Sequence, residues 1–178
     1  KHISFTTLGK KAKEISVTAI GVGKTFNLAG ISMSSVAIFN KELKAKFLRV
    51  YKQNHFADGS VLSHVAFQSA YTHGKQWLEE LKVHLHKNYE MLQNVCQKYP
   101  EKIKITPIEA TYLAWLDCRG MNLTDEELKE FFVKKAKLGL NQGINFGTNG
   151  SGFMRLNFAV SKEMMKEIIN RLKKARSE

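Results

Sequence analysis

Apolar and polar positions change period several times along the chain. Residues 15–20 alternate and include Val17 and Thr18, the pattern of a half-buried strand, and residues 33–39 repeat it. Between them Gly21-Val22-Gly23 breaks the alternation and predicts a loop, while a short polar helix is expected at 8–13. Helical spacing follows at 41–54, with Leu43, Phe47, Leu48 and Tyr51 on one face, and at 60–70, with Val61, Leu62, Val65, Ala66 and Ser69. A longer stripe of Trp77, Leu81, Leu85, Leu92, Val95, Cys96 and Tyr99 predicts a helix over 75–99 that Pro100 stops.

In the second half, 103–106 and 112–118 read as strands joined by the Pro107-Ile108-Glu109 corner, most simply an antiparallel pair. Thr124-Asp125-Glu126-Glu127 is a capping box: Thr124 accepts from an early helix amide and Glu127 reaches back to the cap's own amide. It opens a helix expected to run to Lys137 and to end at Gly139. A glycine-rich loop at 147–152, a strand at 154–160 and a helix at 161–175 complete the order. Strands and helices succeed one another twice, which predicts two unequal α/β pieces, 1–80 and 81–178, divided inside the long helix.

Composition narrows the class without naming it. At 178 residues, folding can bury roughly 70% of the unfolded surface, so a real core is expected. No apolar run approaches the ~20 residues a membrane-spanning helix needs, and Lys1-His2-Ile3-Ser4 lacks a signal-peptide pattern, so a cytoplasmic protein without a membrane partner is expected. Cys96 and Cys118 form no Cys-x-x-Cys pair, in keeping with a reduced compartment. The formal charge of +12 is spread from Lys10 to Arg176 without interleaved aromatics, which argues against a nucleic-acid surface. His55, His64, His73, His84 and His86 make no metal-ligand spacing with acids or thiols, so no metal is expected.

Gly21-Val22-Gly23-Lys24-Thr25 looks at first like a phosphate loop. That motif needs a glycine where Thr18 stands and a helix starting at the lysine, yet Gly30 falls where the helix should be firm. Nucleotide binding is therefore rejected for Lys24. The later Gly147-x-x-Gly150-x-Gly152 also fails as a dinucleotide motif, because a strand follows it. It reads as a flexible approach to Arg155.

Taken whole, GKTFNLAGI (23–31) resembles the segment around the Schiff-base lysine of class I/II, fold-type I pyridoxal-phosphate-dependent aminotransferases, and within that superfamily the cystathionine β-lyase (carbon–sulfur lyase) branch. The opening KHISF, EATYLAWLDC (109–118) and GINFGTNGSGFMRLNFAVSKEMMKEII (143–169) continue the resemblance collinearly, nearly end to end. It implies an α/β fold made of the C-terminal part of the large cofactor-binding domain (1–80) and a small α+β C-terminal domain (81–178). Lys24 is then the catalytic lysine, which forms the covalent link to pyridoxal 5'-phosphate and moves the α-proton. Gly21 and Gly23 border the cofactor phosphate, and Arg155 grips the α-carboxylate of an amino-acid substrate. A homodimer is also implied. Tyr112 and Trp115 are expected to pack near the site.

Two positions depart from the aminotransferase pattern. Gly21 replaces a serine three residues before the lysine, leaving backbone amides as the donors there, and Ser32 replaces an arginine eight residues after it, a loss common in the lyase branch. The aspartate that partners the pyridine nitrogen belongs upstream of the matched region, so the 178 residues alone are expected to bind cofactor poorly and turn over little. The expected function is β-elimination of a thiol from an amino acid such as cystathionine. Amino transfer is the alternative within enzymes; a non-catalytic dimerisation or regulator-binding domain is the alternative outside them. Strand edges at 15–20 and 33–39 further predict self-association.

Overall fold

The computed structural model describes residues 2–56, 59–98 and 101–177, in two compact units, 1–79 and 80–178. In the first unit a 3-10 turn, Phe5–Leu8, leads to α1 (Lys10–Glu14) and then to β1 (Val17–Gly21) and β2 (Ser34–Ile38). The two strands pair antiparallel, from Val17 opposite Ile38 to Gly21 opposite Ser34. Helix α2 (Lys41–Gln53) starts at Asn40, whose side chain accepts from the Leu43 amide at 3.0 Å and donates to the Glu14 carbonyl at 3.0 Å. One residue thus caps α2 and ties it to the end of α1.

Helix α3 (Val61–His73) is capped by Ser60, and Gly74 joins it to α4 (Lys75–Gln97). A side chain at Gly74 would collide with the Ala70 carbonyl and stand 2.6 Å from the Phe26 ring, so this junction admits only glycine. The apolar stripes of α2 and α3 exist as the spacing predicts, but they stay largely uncovered. Val61 and Leu62 are 79% and 75% exposed, and among the described residues Ala12 and Val22 are the buried apolar side chains of this unit. Tyr99 and Pro100, the expected end of the long helix, lie outside the described residues.

The second unit holds a four-stranded antiparallel sheet in the order β3-β4-β6-β5: β3 Lys104–Ile105, β4 Leu113–Asp117, β5 Asn141–Gln142 and β6 Phe153–Asn157. Alternation along β4 and β6 sends Ala114, Leu116, Met154 and Leu156 into the core. There they meet Leu92, Val95 and Cys96 of α4, Leu128 of α5 (Asp125–Glu130), Phe132, and Met165, Ile168, Ile169 and Leu172 of α6 (Lys162–Ser177). The antiparallel β3–β4 pair and the complete capping box match the sequence reading.

Three boundaries differ from expectation. The helix after Thr124 passes at Glu130 into a π-turn, Phe131–Lys135, and the left-handed residue that ends it is Lys137 (φ 54°), not Gly139. The Lys137 carbonyl then accepts from Arg171 Nη1 at 2.8 Å, so α6 fixes where the turn stops. Strand β6 ends at Asn157 instead of 160, because Asn88 of α4 donates to the Phe158 and Val160 carbonyls at 3.0 and 2.8 Å and takes them out of the ladder. The third difference is β5 itself, which had no counterpart among the expected strands.

Candidate functional site

Lys24 sits in a turn closed by the Phe26 amide, which donates to the Val22 carbonyl at 3.0 Å. Its neighbours do the anchoring. Val22 is fully buried, and the Phe26 ring meets Tyr71 edge-on at 5.3 Å and lies 6.2 Å from Trp77. Asn27, at φ 55°, then reverses the chain. Held this way, Lys24 is exposed and makes no hydrogen bond or ion pair among the described residues.

Gly21 ends β1 and Gly23 precedes the lysine. A Cβ at Gly23 would meet Ala29 Cα at 3.4 Å, and one at Gly21 would meet Ser34 Oγ at 3.4 Å, both ordinary contacts. Ser34 is opposite Gly21 in the register, so its hydroxyl lies beside the place where a serine at position 21 would begin. Thr25, Ser32 and Ser34 are all exposed around this turn. Along this segment the side chains offer one amine and several hydroxyls, residue types that fit an aldehyde carrying an anionic group.

Arg155 lies in the second unit, at the centre of β6, on the sheet face opposite the core. Register places it beside Trp115 of β4 and Asn141 of β5. Its Nη2 donates to Asn141 Oδ1 at 2.9 Å, and its guanidinium carbon stands 4.5 Å from the centre of the Phe146 ring. Trp115 meets Phe146 edge-on at 5.7 Å and stacks on Phe153 at 5.6 Å. Arg155 Nε is buried and has no hydrogen-bond partner among the described residues. An unmet buried donor costs about 1–3 kcal/mol, and a bound oxyanion would remove that cost.

The glycine loop before β6 is tethered, not loose. Asp125 accepts from Ser151 Oγ at 2.9 Å and from the Gly152 amide at 2.8 Å, and side chains at Gly143 or Gly150 would strike the other's backbone. Arg119, near the same sheet face, is already engaged: its Nε and Nη2 donate to the two Asp117 oxygens at 2.9 and 2.7 Å. These hydrogen bonds hold the Asp117 carboxyl below its ordinary range against a smaller opposing effect of burial. Tyr112 packs against the core and accepts from the Phe158 amide through its carbonyl. His84 donates to the Val160 carbonyl at 2.7 Å, His86 pairs with Glu90 at 3.3 Å, and no group of three metal-ligating side chains occurs among the described residues. Asn141, Phe146, Ser34 and Asp125 were not singled out by sequence; all four depend on cross-strand or loop contacts that local spacing does not reveal.

No family model matches the chain. It is 34% identical over 177 residues to cystathionine beta-lyase PatB of Bacillus subtilis, covering 99% of this chain and 46% of PatB. Cystalysin from Treponema denticola, whose crystal structure contains pyridoxal 5'-phosphate, superposes with a TM-score of 0.93 at 29% identity, covering 99% of this chain and 45% of cystalysin. A PLP-bound putative aminotransferase from Clostridium difficile 630 superposes with a TM-score of 0.91 at 32% identity, over 98% of this chain and 45% of that one. The chain thus spans about half the length of the relatives it matches. The fold is that of fold-type I pyridoxal-phosphate-dependent enzymes, α/β, in its C-terminal portion. Within that superfamily the chain is similar to the cystathionine β-lyase branch of the class I/II aminotransferases. No helix among the described residues is long and apolar enough to cross a membrane.

Proposed function

We propose that the chain is the C-terminal portion of a pyridoxal-phosphate-dependent carbon–sulfur lyase that removes a thiol from amino acids such as cystathionine by β-elimination. Residues 1–80 would be the last part of the large domain and 81–178 the small domain. Lys24 would hold the cofactor aldehyde, while Ser34 and the backbone at Gly21 and Gly23 would hold its phosphate. Bound there, the cofactor supplies an electron sink for the charge left when the α-proton departs.

The chain's own residues divide the remaining work. Lys24 moves the α-proton, as base and then as acid, which requires its amine to be neutral when it acts. Arg155 binds the α-carboxylate through charge-assisted hydrogen bonds, one of them from the unpartnered Nε. Phe146 and Trp115 wall the guanidinium and limit water around it, which strengthens the ion pair. The whole enzyme is proposed to be a homodimer in the cytoplasm, a location in keeping with two buried free cysteines.

The observation that carries this reading is Lys24 itself, exposed on an aromatic-anchored turn and unpaired among the described residues. The test, in the intact enzyme, is to add pyridoxal phosphate, reduce with borohydride and map the labelled peptide. Label concentrated at Lys24 is expected. Label spread evenly over surface lysines would overturn the assignment and leave the non-catalytic reading. Likeness to the putative aminotransferase supports amino transfer as the second reading. In the intact enzyme, pyruvate and ammonia from cystathionine support lysis, whereas keto-acid-dependent transfer without ammonia supports the alternative.

A further inference from the structure

Two arginines flank the outer face of the second unit's sheet, and they are treated differently. Arg119 is held by a carboxylate: Asp117 takes two of its hydrogen bonds, at 2.9 and 2.7 Å, and neutralises its charge. Arg155 is held by a neutral amide, through the single bond from Nη2 to Asn141 Oδ1 at 2.9 Å. Its Nε remains buried and unpartnered. Asn141 therefore fixes one corner of the guanidinium without using up the charge, and Phe146, 4.5 Å from the guanidinium carbon, restricts its plane.

Strand β5 makes this possible. It is two residues long, its Asn141 is directly opposite Arg155, and the next residue, Gly143, packs against the backbone of Gly150. Gln142 adds a bond from Nε2 to the Asp125 carbonyl at 3.3 Å. Asn141 is thus set between a cross-strand pair and a backbone contact, which leaves its side chain little room to drift. A free arginine loses rotamer entropy when ordered, and a guanidinium already held at one corner loses less when a ligand arrives.

From these contacts we infer that Asn141 is a positioning residue for carboxylate recognition: a neutral acceptor that orients Arg155 while keeping its charge for the ligand. The inference rests on the proposed role of Arg155 as the holder of the substrate α-carboxylate. An aspartate at 141 would be nearly isosteric and would hold Arg155 at least as firmly, but it would compete with the ligand for the same charge. Orientation and availability are therefore separable by mutation.

The test uses the full chain labelled with ¹⁵N-arginine, L-alanine as the carboxylate probe and L-alaninamide as the neutral control. The Arg155 Nε–H signal is identified by its loss in Arg155→Lys. In the wild type, L-alanine is expected to shift that signal saturably, while L-alaninamide leaves it in place and the Arg119 signal does not move. Asn141→Asp is expected to weaken L-alanine binding by about tenfold or more with Tm unchanged or raised, a split that a purely structural residue would not produce. Asn141→Ala, which removes the orienting bond without adding charge, is expected to weaken binding several-fold less than Asn141→Asp. Wild-type affinity in Asn141→Asp would overturn the inference alone. Absence of any Arg155 response in the wild type would overturn the carboxylate role of Arg155 and this inference with it.

Discussion

Lys24 contributes chemistry and its neighbours contribute the fold. Its side chain reaches solvent, whereas Val22 is buried and Phe26 packs on Tyr71. Lys24→Ala is accordingly expected to change unfolding in urea by less than about 0.5 kcal/mol while abolishing reductive labelling at this position. A larger stability loss would mean that the lysine carries structure that its exposure does not suggest. Ser34 gives a second prediction at this scale. Ser34→Ala should weaken retention of pyridoxal phosphate more than retention of pyridoxal, and Gly21→Ser on that background should restore the difference, since a Cβ at 21 meets Ser34 Oγ at 3.4 Å and the Met33 carbonyl at 4.0 Å, and the Ser34→Ala change removes the nearer of these. Spectroscopic titration of both ligands measures it. Lys24 and Arg155 could be nominated from the sequence because each lies inside a contiguous run of recognisable residues. Ser34 and Asn141 were not, because each acquires its meaning from the residue opposite, and cross-strand register is not written in local spacing.

Among the elements, the helix at Asp125–Glu130 was the most legible, since its start signal is local. Thr124 accepts from the Glu127 amide at 3.3 Å and the Thr124 amide donates to Glu127 Oε2 at 2.9 Å. Thr124→Ala should cost about 1 kcal/mol, read by denaturant unfolding. The hydrogen bonds from the Thr124 amide and hydroxyl hold the Glu127 carboxyl below its ordinary 4.5. A carboxyl lowered on folding adds stability above its unfolded pKa, and that stability is lost as pH falls through the folded value. Acid titration of the wild type against Glu127→Gln should therefore show a difference at neutral pH that starts to shrink only as pH falls through the ordinary carboxylate range and disappears below the lowered folded value. Where the elements were misjudged, tertiary contacts had decided. Arg171 captures the Lys137 carbonyl and Asn88 captures those at the end of β6, while β5, at two residues, is too short to show any period. The close approach of Gly143 and Gly150 beside β5 makes Gly150→Ala severe. Its new Cβ would strike Gly143, displacing β5 from β6 and costing on the order of 1–3 kcal/mol, together with the Arg155–Asn141 bond.

For the whole molecule, the two units differ in how much apolar surface each buries by itself. The second surrounds Phe132, Phe158, Leu92 and Leu116 at 0–2% exposure, whereas the first leaves Val61, Leu62 and Val65 at 58–79% and carries a sheet of two strands whose outer edges pair with no other strand among the described residues. An isolated two-stranded sheet is marginal in water, and stability scales with buried apolar area, so the units should not be equally protected. Native-state hydrogen exchange should find the slowest amides in β4, β6 and α4 beyond Glu80, with those of β1 and β2 exchanging orders of magnitude faster. Exposed apolar helices and open strand edges also favour pairing with another chain. Sedimentation of this chain should accordingly show concentration-dependent association, and association should protect β1 and β2 before it affects the second unit. Protection that rises with protein concentration in the first unit alone would tie the association to that surface. A concentration-independent monomer with β1 and β2 already protected would show that the first unit is stable by itself, against the burial seen here.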